Sequence, residues 1–482
     1  MISNQKMSNY RWVICGLLFL ATTVNYLDRQ VLSLTWKDFI AIDFHWNDND
    51  YGNITAIFSI FYAFISLFAG KFIDWMGTKK GYIWAIVVWS VGACLHAACG
   101  IVTMRLTGIA DVDALRAVTA GSELALTIST ISVWLFLACR IILATGESGN
   151  FPAAIKVTAE YFPKKDRAYA TSIFNAGASV GALVAPLSIP ILAKYMGWEM
   201  AFIIIGAIGF VWAGAWLFLY SAPAQNRFVN EAELAYIESD NETENDAKLV
   251  TKTEENEVKL SFLDCFKHRQ TWAFIVGKLM TDGVWWFFLF WAPAYFSELG
   301  YPTSSGMGQM LIFVLYLIVT VVSIFGGYLP KLFVEKLGMH PYAGRMRAML
   351  IFAFLPVFAM FAQPLAGTSV WWPCVIIGLA GAGHQAWSAN LYSTIGDMFP
   401  KSAIATITGI GTMFGGLCSF AINKGSGMLF TYAEGQGDAF AFFGATGKPA
   451  GYMMVFCYCA VAYLLAWCIM KVLVPKYKPI DK

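Results

Sequence analysis

The 482-residue sequence is poor in charged residues, and this shortage decides its broad class. Asp, Glu, Lys and Arg make up 13% of the chain, whereas hydrophobic residues make up 58%. Soluble proteins carry about 25% charged residues, so the composition excludes a chain that covers its surface for water. The net charge of +2 also lacks the basic excess of a nucleic-acid-binding protein. We therefore expect a multi-pass membrane protein with no nucleic-acid partner.

Motifs for catalysis, nucleotide binding and metal binding are missing as well. The sequence contains no HExxH, no P-loop GxxxxGK[ST] and no GxGxxG that follows a strand. Its ten cysteines include no CxxC pair, and its five histidines form no cluster at metal-ligand spacing. We therefore predict a protein that is not an enzyme and has no metal or other cofactor. Because an ATP-driven pump needs a nucleotide site, any transport must draw its energy from a gradient.

Long apolar runs are abundant and predict an all-α integral membrane protein. About 20 apolar residues span a hydrocarbon core of ~30 Å, and twelve such runs are predicted, six on each side of a break. The runs cover approximately 11–36, 51–73, 80–104, 122–146, 168–193, 198–221, 271–297, 306–333, 346–367, 370–396, 402–430 and 449–474. The break contains DNETENDAK and TKTEENEVK, which are too polar to cross a bilayer. The predicted domains are an N-terminal six-helix bundle (1–221), a cytoplasmic central loop (222–270) and a C-terminal six-helix bundle (271–482).

Basic residues are unevenly distributed between alternate loops, which sets the predicted orientation. If the amino terminus is inside, most loop lysines and arginines fall in inside segments and few fall outside. Positive charge favours the cytoplasmic side, so both termini are predicted to be cytoplasmic, in a cell (inner) membrane. The outside loop at 101–121 is unusually long.

The loop after the second run carries a specific pattern. It reads GKFIDWMGTKKG (70–81), and five positions fit G-x-x-x-D-x-x-G-x-K-K: Gly70, Asp74, Gly77, Lys79 and Lys80. This pattern resembles the loop signature of the major facilitator superfamily, although Trp75 stands where a basic residue is common. An acid at one helix end and lysines at the next can pair with a helix terminus and nearby charges. The loop is thus a candidate conformational latch, with a plain cytoplasmic basic loop as the alternative.

Further stretches narrow the resemblance to the anion:cation symporter family, and within it to the hexuronate transporters. They are NYLDR (25–29), RIILATGESGNFPAA (140–154), YFPKKDRAYATSIFNAGASVGALVAPL (161–187), DGVWWFFLFWAPAYF (282–296) and GHQAWSANLYS (383–393). The resemblance implies the major facilitator fold, with twelve transmembrane helices in two pseudo-symmetric bundles around a central site. It also implies a monomeric, proton-coupled symporter that imports a monocarboxylate sugar acid such as galacturonate or glucuronate.

Two other functions remain open on the sequence. The same fold can carry another organic anion, such as an aldonate or an aromatic or dicarboxylic acid, as a symporter or an exchanger. A membrane receptor that binds the acid without transporting it is the more distant alternative. Its output module would have to be the central loop, which is short and has the composition of a disordered segment.

Charged residues within the apolar runs are the candidates for coupling. Each costs about 2.5–3.5 kcal/mol at the bilayer centre on insertion scales, so they are expected to face a central cavity. Arg140 and Glu147 are seven residues apart, two turns along one stripe of a helix. Glu147 can be neutral when protonated and attracted to Arg140 when ionised, which suits proton coupling. The resemblance implies the same role, and a permanent buried ion pair is the alternative.

Arg29 is the candidate for the substrate carboxylate, because its planar guanidinium can bind both oxygens at once. Arg140 is a second candidate contact. Asp28 is either a second proton site or a partner that limits how tightly Arg29 holds the substrate. Since adjacent helical residues point about 100° apart, Asp28 and Arg29 are expected to have different neighbours.

Polar and aromatic residues within the runs are candidate contacts for a sugar acid. They are Tyr26, Tyr62, Asn175, Asp282, Trp285, His384, Gln385, Ser388 and Asn390. The resemblance places Tyr26, Tyr62, Ser388 and Asn390 on positions that line related sites, whereas Ala178 stands where sugar-acid members have a polar residue. Each can instead be a contact between packed helices. Lys278 and Asp282 share one helix face at i and i+4 and are predicted to neutralise each other, unless Lys278 extends to the interface.

Overall fold

Helices make up most of the computed structural model, which describes residues 6–239, 262–399 and 401–480. In the first half they are α1 (Arg11–Thr35), α2 (Ala41–Phe44), α3 (Asp48–Met76), α4 (Thr78–His96), α5 (Cys99–Thr107), α6 (Val112–Arg116), α7 (Glu123–Glu147), α8 (Asn150–Tyr161), α9 (Lys164–Met196), α10 (Trp198–Leu219) and α11 (Glu231–Ile237). In the second half they are α12 (Arg269–Glu298), α13 (Gly306–Ser323), α14 (Phe325–Leu337), α15 (Pro341–Ala353), α16 (Ala362–Ala366), α17 (Trp371–Met398), α18 (Lys401–Gln436) and α19 (Gly447–Leu473).

Shorter elements connect these helices. A π-helical turn at Trp36–Ile40 follows α1, and 3-10 turns lie at Pro223–Gln225, Asp264–Lys267, Pro356–Phe361 and Gly437–Ala439. Two short antiparallel strands, β1 (Ala441–Phe442) and β2 (Ala445–Thr446), form a hairpin before α19.

The all-α membrane fold is confirmed. Eight helices of the described residues are long and apolar enough to cross a membrane, or nine if α4 and α5, which meet at a bend of 46°, form one span. A helix lies in each of the twelve predicted ranges. α1, α17 and α18 are long but not among the eight, so twelve spans remain a prediction.

Two groups of helices pack as separate bundles that share one interface. In the N-terminal bundle, α1 packs on α9, and α4 packs on α7 and α10. In the C-terminal bundle, α12 packs on α18 and α19, and α13 packs on α17. The bundles meet mainly where α3 lies along α18, with further contacts of α9 with α13 and of α1 with α12.

Glycine lets some of these helices approach closely. The stretch GASVG (177–181) has the letters of a GxSxG nucleophile motif, but it lies inside α9 rather than at a strand-to-helix turn. A Cβ on Gly177 would lie 2.4 Å from the Phe19 carbonyl oxygen, and one on Gly181 would lie 2.6 Å from the Thr23 carbonyl oxygen. These glycines therefore serve the packing of α9 against α1.

Both ends of the described chain lie at the same face of the molecule, which we call the terminal face. There the Gln270 side chain, at the start of α12, donates to the Lys478 carbonyl oxygen. The opposite face, the distal face, holds the end of α1 and the end of α12.

The long loop predicted at 101–121 is folded against the distal face. It forms α5 and α6, and Arg116 Nε donates to Asp43 Oδ1 at 2.6 Å. The His45 ring Nε2 lies 3.0 Å from the Leu115 carbonyl oxygen. These contacts attach the loop to α2 and the segment that follows it.

Polar contacts between the two bundles are concentrated at the distal face. Asp38 accepts hydrogen bonds from the Ser297 hydroxyl and from Thr303, whose backbone N and Oγ1 lie 2.6 and 2.7 Å from Oδ2. The remaining contacts are Lys37–Glu298 (2.6 Å), Lys448–Asp48 (2.5 Å), Lys424 with Asn49 and Asn53, Asn49 with Thr431, Tyr51 with Phe290, Leu34 with Thr303, and Lys194 with Ser304. We call this set the distal seal. Among the groups of the two bundles that the structure describes, every hydrogen bond or ion pair from one bundle to the other belongs to the distal seal.

The first part of the predicted central loop packs on the N-terminal bundle. Glu233, fully buried, accepts hydrogen bonds from the backbone N of Tyr10 (2.8 Å) and Arg11 (3.0 Å), from Arg11 Nη1 (3.0 Å) and from the Ser8 hydroxyl. Burial raises the pKa of Glu233, but these hydrogen bonds outweigh it and hold the pKa below the ordinary 4.5. We call this contact the N-terminal clamp. Residues 240–261 of the predicted loop lie outside the described residues.

Candidate substrate site between the two bundles

Arg29 and Glu147 form a buried ion pair at the centre of the N-terminal bundle. Arg29 Nη2 and Nε lie 2.9 and 3.1 Å from Glu147 Oε2. The sequence predicted that ionised Glu147 is attracted to Arg140, but its ion pair is formed with Arg29. Seven residues separate Arg140 from Glu147 by about 10 Å along α7, whereas Arg29 reaches Glu147 directly from the neighbouring α1.

Several buried polar atoms near this pair have no hydrogen-bond partner among the described residues. They are both carboxylate oxygens of Asp28, Oε1 of Glu147 and Nη1 of Arg140. Arg140 is 2% exposed, and its guanidinium lies 5.2 Å from the ring centroid of Phe58. Buried polar groups normally have partners; here the two carboxylates can take up a proton, and the Arg140 guanidinium can donate to a ligand group. Asp28 and Arg29 have different neighbours, in line with their spacing.

Aromatic rings surround the Arg29 guanidinium. Its carbon atom lies 5.3 Å from the ring centroid of Tyr26, 4.7 Å from Tyr62 and 5.2 Å from Trp286. Cations are attracted to such ring faces. Tyr26 and Tyr62 belong to the N-terminal bundle, and Trp286 belongs to the C-terminal bundle. All three rings are partly exposed, so open space remains between the bundles next to Arg29.

The sequence analysis missed Trp286 and named its neighbour Trp285 instead. The signal was available, because Trp286 lies at i+4 from Asp282 and therefore on the same face of α12. Trp285 points elsewhere and stacks on the His384 ring, with centroids 5.6 Å apart. His384 Nδ1 lies 2.7 Å from the Tyr463 hydroxyl, so this histidine is already engaged within the C-terminal bundle.

Lys278 and Asp282 form the second buried ion pair, as the i, i+4 spacing predicted. Lys278 Nζ lies 2.6 Å from Asp282 Oδ2 and donates to the Tyr392 hydroxyl at 3.0 Å. Their side chains are 6% and 12% exposed. Gly415 of α18 leaves the room that Asp282 occupies, since a Cβ there would lie 2.2 Å from Oδ2.

Four of the residues predicted to contact the sugar are less well placed for binding it than the aromatic rings around Arg29. Asn390 Nδ2 donates to the carbonyl oxygens of Gly326 and Ala386, each at 2.8 Å. Asn390 therefore joins α14 to α17, which is the helix-packing alternative. Asn175 is exposed, and Gln385 and Ser388 are partly buried.

The candidate latch is formed within the N-terminal bundle. Asp74 Oδ1 accepts from Lys156 Nζ of α8 at 2.7 Å, rather than from Lys79 or Lys80. Gly77 has φ +79°, a conformation that favours glycine, and alone it links α3 to α4. Gly70 lies within α3. With the distal seal closed, none of the described polar contacts joins this loop to the C-terminal bundle.

Comparison with known proteins agrees with this arrangement. The family model described as Major Facilitator Superfamily matches residues 18–422. The hexuronate transporter of Escherichia coli K12 is 26% identical over 428 residues, which are 88% of each chain. A probable galactarate/D-glucarate transporter of the same strain is 24% identical over 92% of this chain and 94% of its own.

A solved structure shares the fold. The bacterial homologue of the human lysosomal transporter Spinster, in an inward-facing and occupied conformation, superposes with a TM-score of 0.67 at 17% identity, covering 98% of each chain. The family match spans most of the sequence, and the two bundles enclose a central charged site. The chain therefore belongs to the Major Facilitator Superfamily and is a membrane transporter, not an enzyme.

Proposed function

We propose that this protein is a monomeric, proton-coupled symporter that imports a monocarboxylate sugar acid, above all a hexuronate such as galacturonate or glucuronate. The observation that carries the proposal is the buried Arg29–Glu147 ion pair. It joins a group able to bind a carboxylate to a group able to take up a proton. The names of similar transporters, for hexuronates and for galactarate or glucarate, support a sugar acid as cargo.

Competition for Arg29 gives the coupling. Ionised Glu147 occupies the guanidinium, and protonation of Glu147 removes that competing charge. Arg29 then offers its Nε and Nη2 donors to both oxygens of the substrate carboxylate. Substrate and proton thus favour each other's binding, which is the reciprocity that coupling requires.

Asp28 and Arg140 complete the charge balance. Both are buried and have polar atoms without a hydrogen-bond partner among the described residues. Asp28 serves as a second proton site, and the fixed charge of Arg140 favours the ionised form of Glu147 until substrate arrives. The aromatic rings of Tyr26, Tyr62 and Trp286 supply flat surfaces and hydroxyl groups for the sugar.

The proposed orientation places the terminal face in the cytoplasm of a cell with an inner membrane. Basic residues support it by the positive-inside rule. The described state then has its outer side closed by the distal seal and is ready to release cargo inward. Return to the outward state requires the seal to open and the loop around Asp74 to contact the opposite bundle.

External pH on addition of substrate tests the proposal in de-energised cells that make the protein. Galacturonate or glucuronate should raise the pH, whereas neutral galactose should not. Glu147→Gln should abolish the pH rise, and Asp113→Asn is the control, because the Asp113 side chain is 97% exposed at the distal face. Uronate uptake with no pH change would contradict coupling, and a normal pH rise in Glu147→Gln would contradict the proton site.

An exchanger for a related organic anion is the second candidate, since one similar transporter is named for dicarboxylic sugar acids. Proteoliposomes separate the two mechanisms. Symport produces accumulation driven by a proton gradient with an empty lumen, whereas exchange requires internal substrate. Saturable binding in the absence of either flux would instead support the receptor alternative.

A further inference from the structure

The buried Lys278–Asp282 pair is neutral as a unit. The two charges lie 2.6 Å apart, so the cation carries its own counter-ion on the same helix. Tyr392, which accepts from Lys278, is 36% exposed. By contrast, Arg29 is compensated by Glu147, whose charge a proton can remove.

The pair lies close to the Arg29 site. Trp286, whose ring centroid is 5.2 Å from the Arg29 guanidinium, is one helical turn beyond Asp282 on α12. One turn is about 5.4 Å. An extended acid that places one carboxylate on Arg29 can therefore reach the Lys278–Asp282 pair with its other end.

We propose that Asp282 is a specificity-determining residue that rejects acids with a second carboxylate. This inference rests on the proposed transport of a monocarboxylate sugar acid. Asp282 already neutralises the charge of Lys278, and its own charge repels a second carboxylate. A hydroxyl end fits instead, because it donates to Asp282 and accepts from Lys278 or Tyr392.

The packing around Asp282 fixes the position of the charge that repels a second carboxylate. Asp282 is held against Gly415, where no Cβ fits, so its carboxylate cannot withdraw toward α18. Like charges forced together at a site of low polarity are strongly unfavourable. Replacing the charge of Asp282 while keeping its shape leaves Lys278 as an uncompensated cation. The second end of the site then attracts a carboxylate.

Competition binding with three acids tests the inference. Galactarate has two carboxylates, and galactonate is an open-chain acid with a hydroxymethyl group in place of the second. Galacturonate is the proposed class of substrate. The purified full-length protein is assayed for displacement of labelled galacturonate by each acid. The measured quantity is the ratio of the galactarate to the galactonate dissociation constant, which is independent of the amount of active protein.

The wild type should bind galactarate about tenfold or more weakly than galactonate, the scale of a lost charge-assisted hydrogen bond. Asp282→Asn should lower the ratio about tenfold. The double variant Lys278→Gln/Asp282→Asn should not lower it, because the attracting cation is gone. A variant that has lost its structure binds no labelled galacturonate and therefore yields no ratio.

Three results would overturn the inference: a wild-type ratio near one, an unchanged ratio in Asp282→Asn, or an equal change in the double variant. The wild-type ratio provides a test even if Asp282→Asn fails to fold. Direct binding of labelled galactarate by a wild type that binds no labelled galacturonate contradicts both the proposed substrate and the exclusion. A wild type that binds galacturonate and fails the ratio test contradicts the exclusion alone.

Discussion

Asp38 holds the distal seal closed, and removing its carboxylate should shift the protein toward a state that is open at the distal face. The carboxylate accepts hydrogen bonds from Ser297 and from the backbone and hydroxyl of Thr303, all in the opposite bundle. Hydrogen bonds to charged groups contribute about 1.5–3 kcal/mol each, although they are not additive. A total loss of about 3 kcal/mol in Asp38→Ala is therefore a conservative value. It corresponds to roughly a hundredfold change in the ratio of the two states.

Distances between spin labels on the two bundles measure this shift. Suitable label positions are Ala120 and Phe443, which are exposed at the distal face. The protein for labelling replaces Cys94, Cys457 and Cys468, the cysteines that are not buried. In Asp38→Ala the distance distribution should move to longer values without substrate.

Asp43→Ala provides the matched control. Asp43 is also a buried carboxylate near the distal face, but its partners Arg116 (2.6 Å) and Trp198 (2.8 Å) lie in its own bundle. Its loss should lower thermal stability and leave the label distance unchanged. If Asp38→Ala keeps the wild-type distance, or if Asp43→Ala lengthens it equally, the seal does not act through the Asp38 contacts.

Three further predictions concern other contacts. Glu233→Gln should lower the melting temperature at pH 7, because the folded pKa of Glu233 lies below its ordinary 4.5. The difference in melting temperature from the wild type should disappear as the pH falls through the folded pKa, and a constant difference down to pH 3 would contradict the role of the clamp. Gly52→Val should force the bundles apart, since a Cβ there would lie 2.9 Å from the Gly427 Cα; label distances should lengthen, whereas Gly425→Val, with no neighbour within 4 Å, should not change them. Asn390→Ala should lower the free energy of unfolding by about 1 kcal/mol and leave the substrate affinity unchanged. A large rise in KM would instead show that Asn390 contacts the substrate.

Contacts within one helix were predictable from the sequence, whereas contacts between helices were not. Lys278 and Asp282 lie at i and i+4, where helix geometry alone brings side chains together. The partner of Glu147 depends instead on how α1 and α7 are rotated about their axes. Hydrophobic periodicity gives the buried face of a helix but not the residue that it faces, so Arg140 was chosen over Arg29.

Apolar runs located the helices well, because about 20 apolar residues are needed to cross the membrane. The same signal said little about polar segments outside the membrane. The N-terminal clamp could not be predicted from the sequence, because the Glu233 carboxylate accepts hydrogen bonds from backbone groups more than 200 residues away. The long loop at 101–121 had no pattern that pointed to its contact with Asp43.

The N-terminal clamp has a consequence for the order of synthesis. α1 is made first, but Glu233, which satisfies the backbone of its first turn, is made only after α10 has ended at Leu219. The clamp can therefore close only when every helix of the N-terminal bundle exists. Domains generally fold as units, N-terminal first. A closed clamp therefore marks a first half whose helices have all been made.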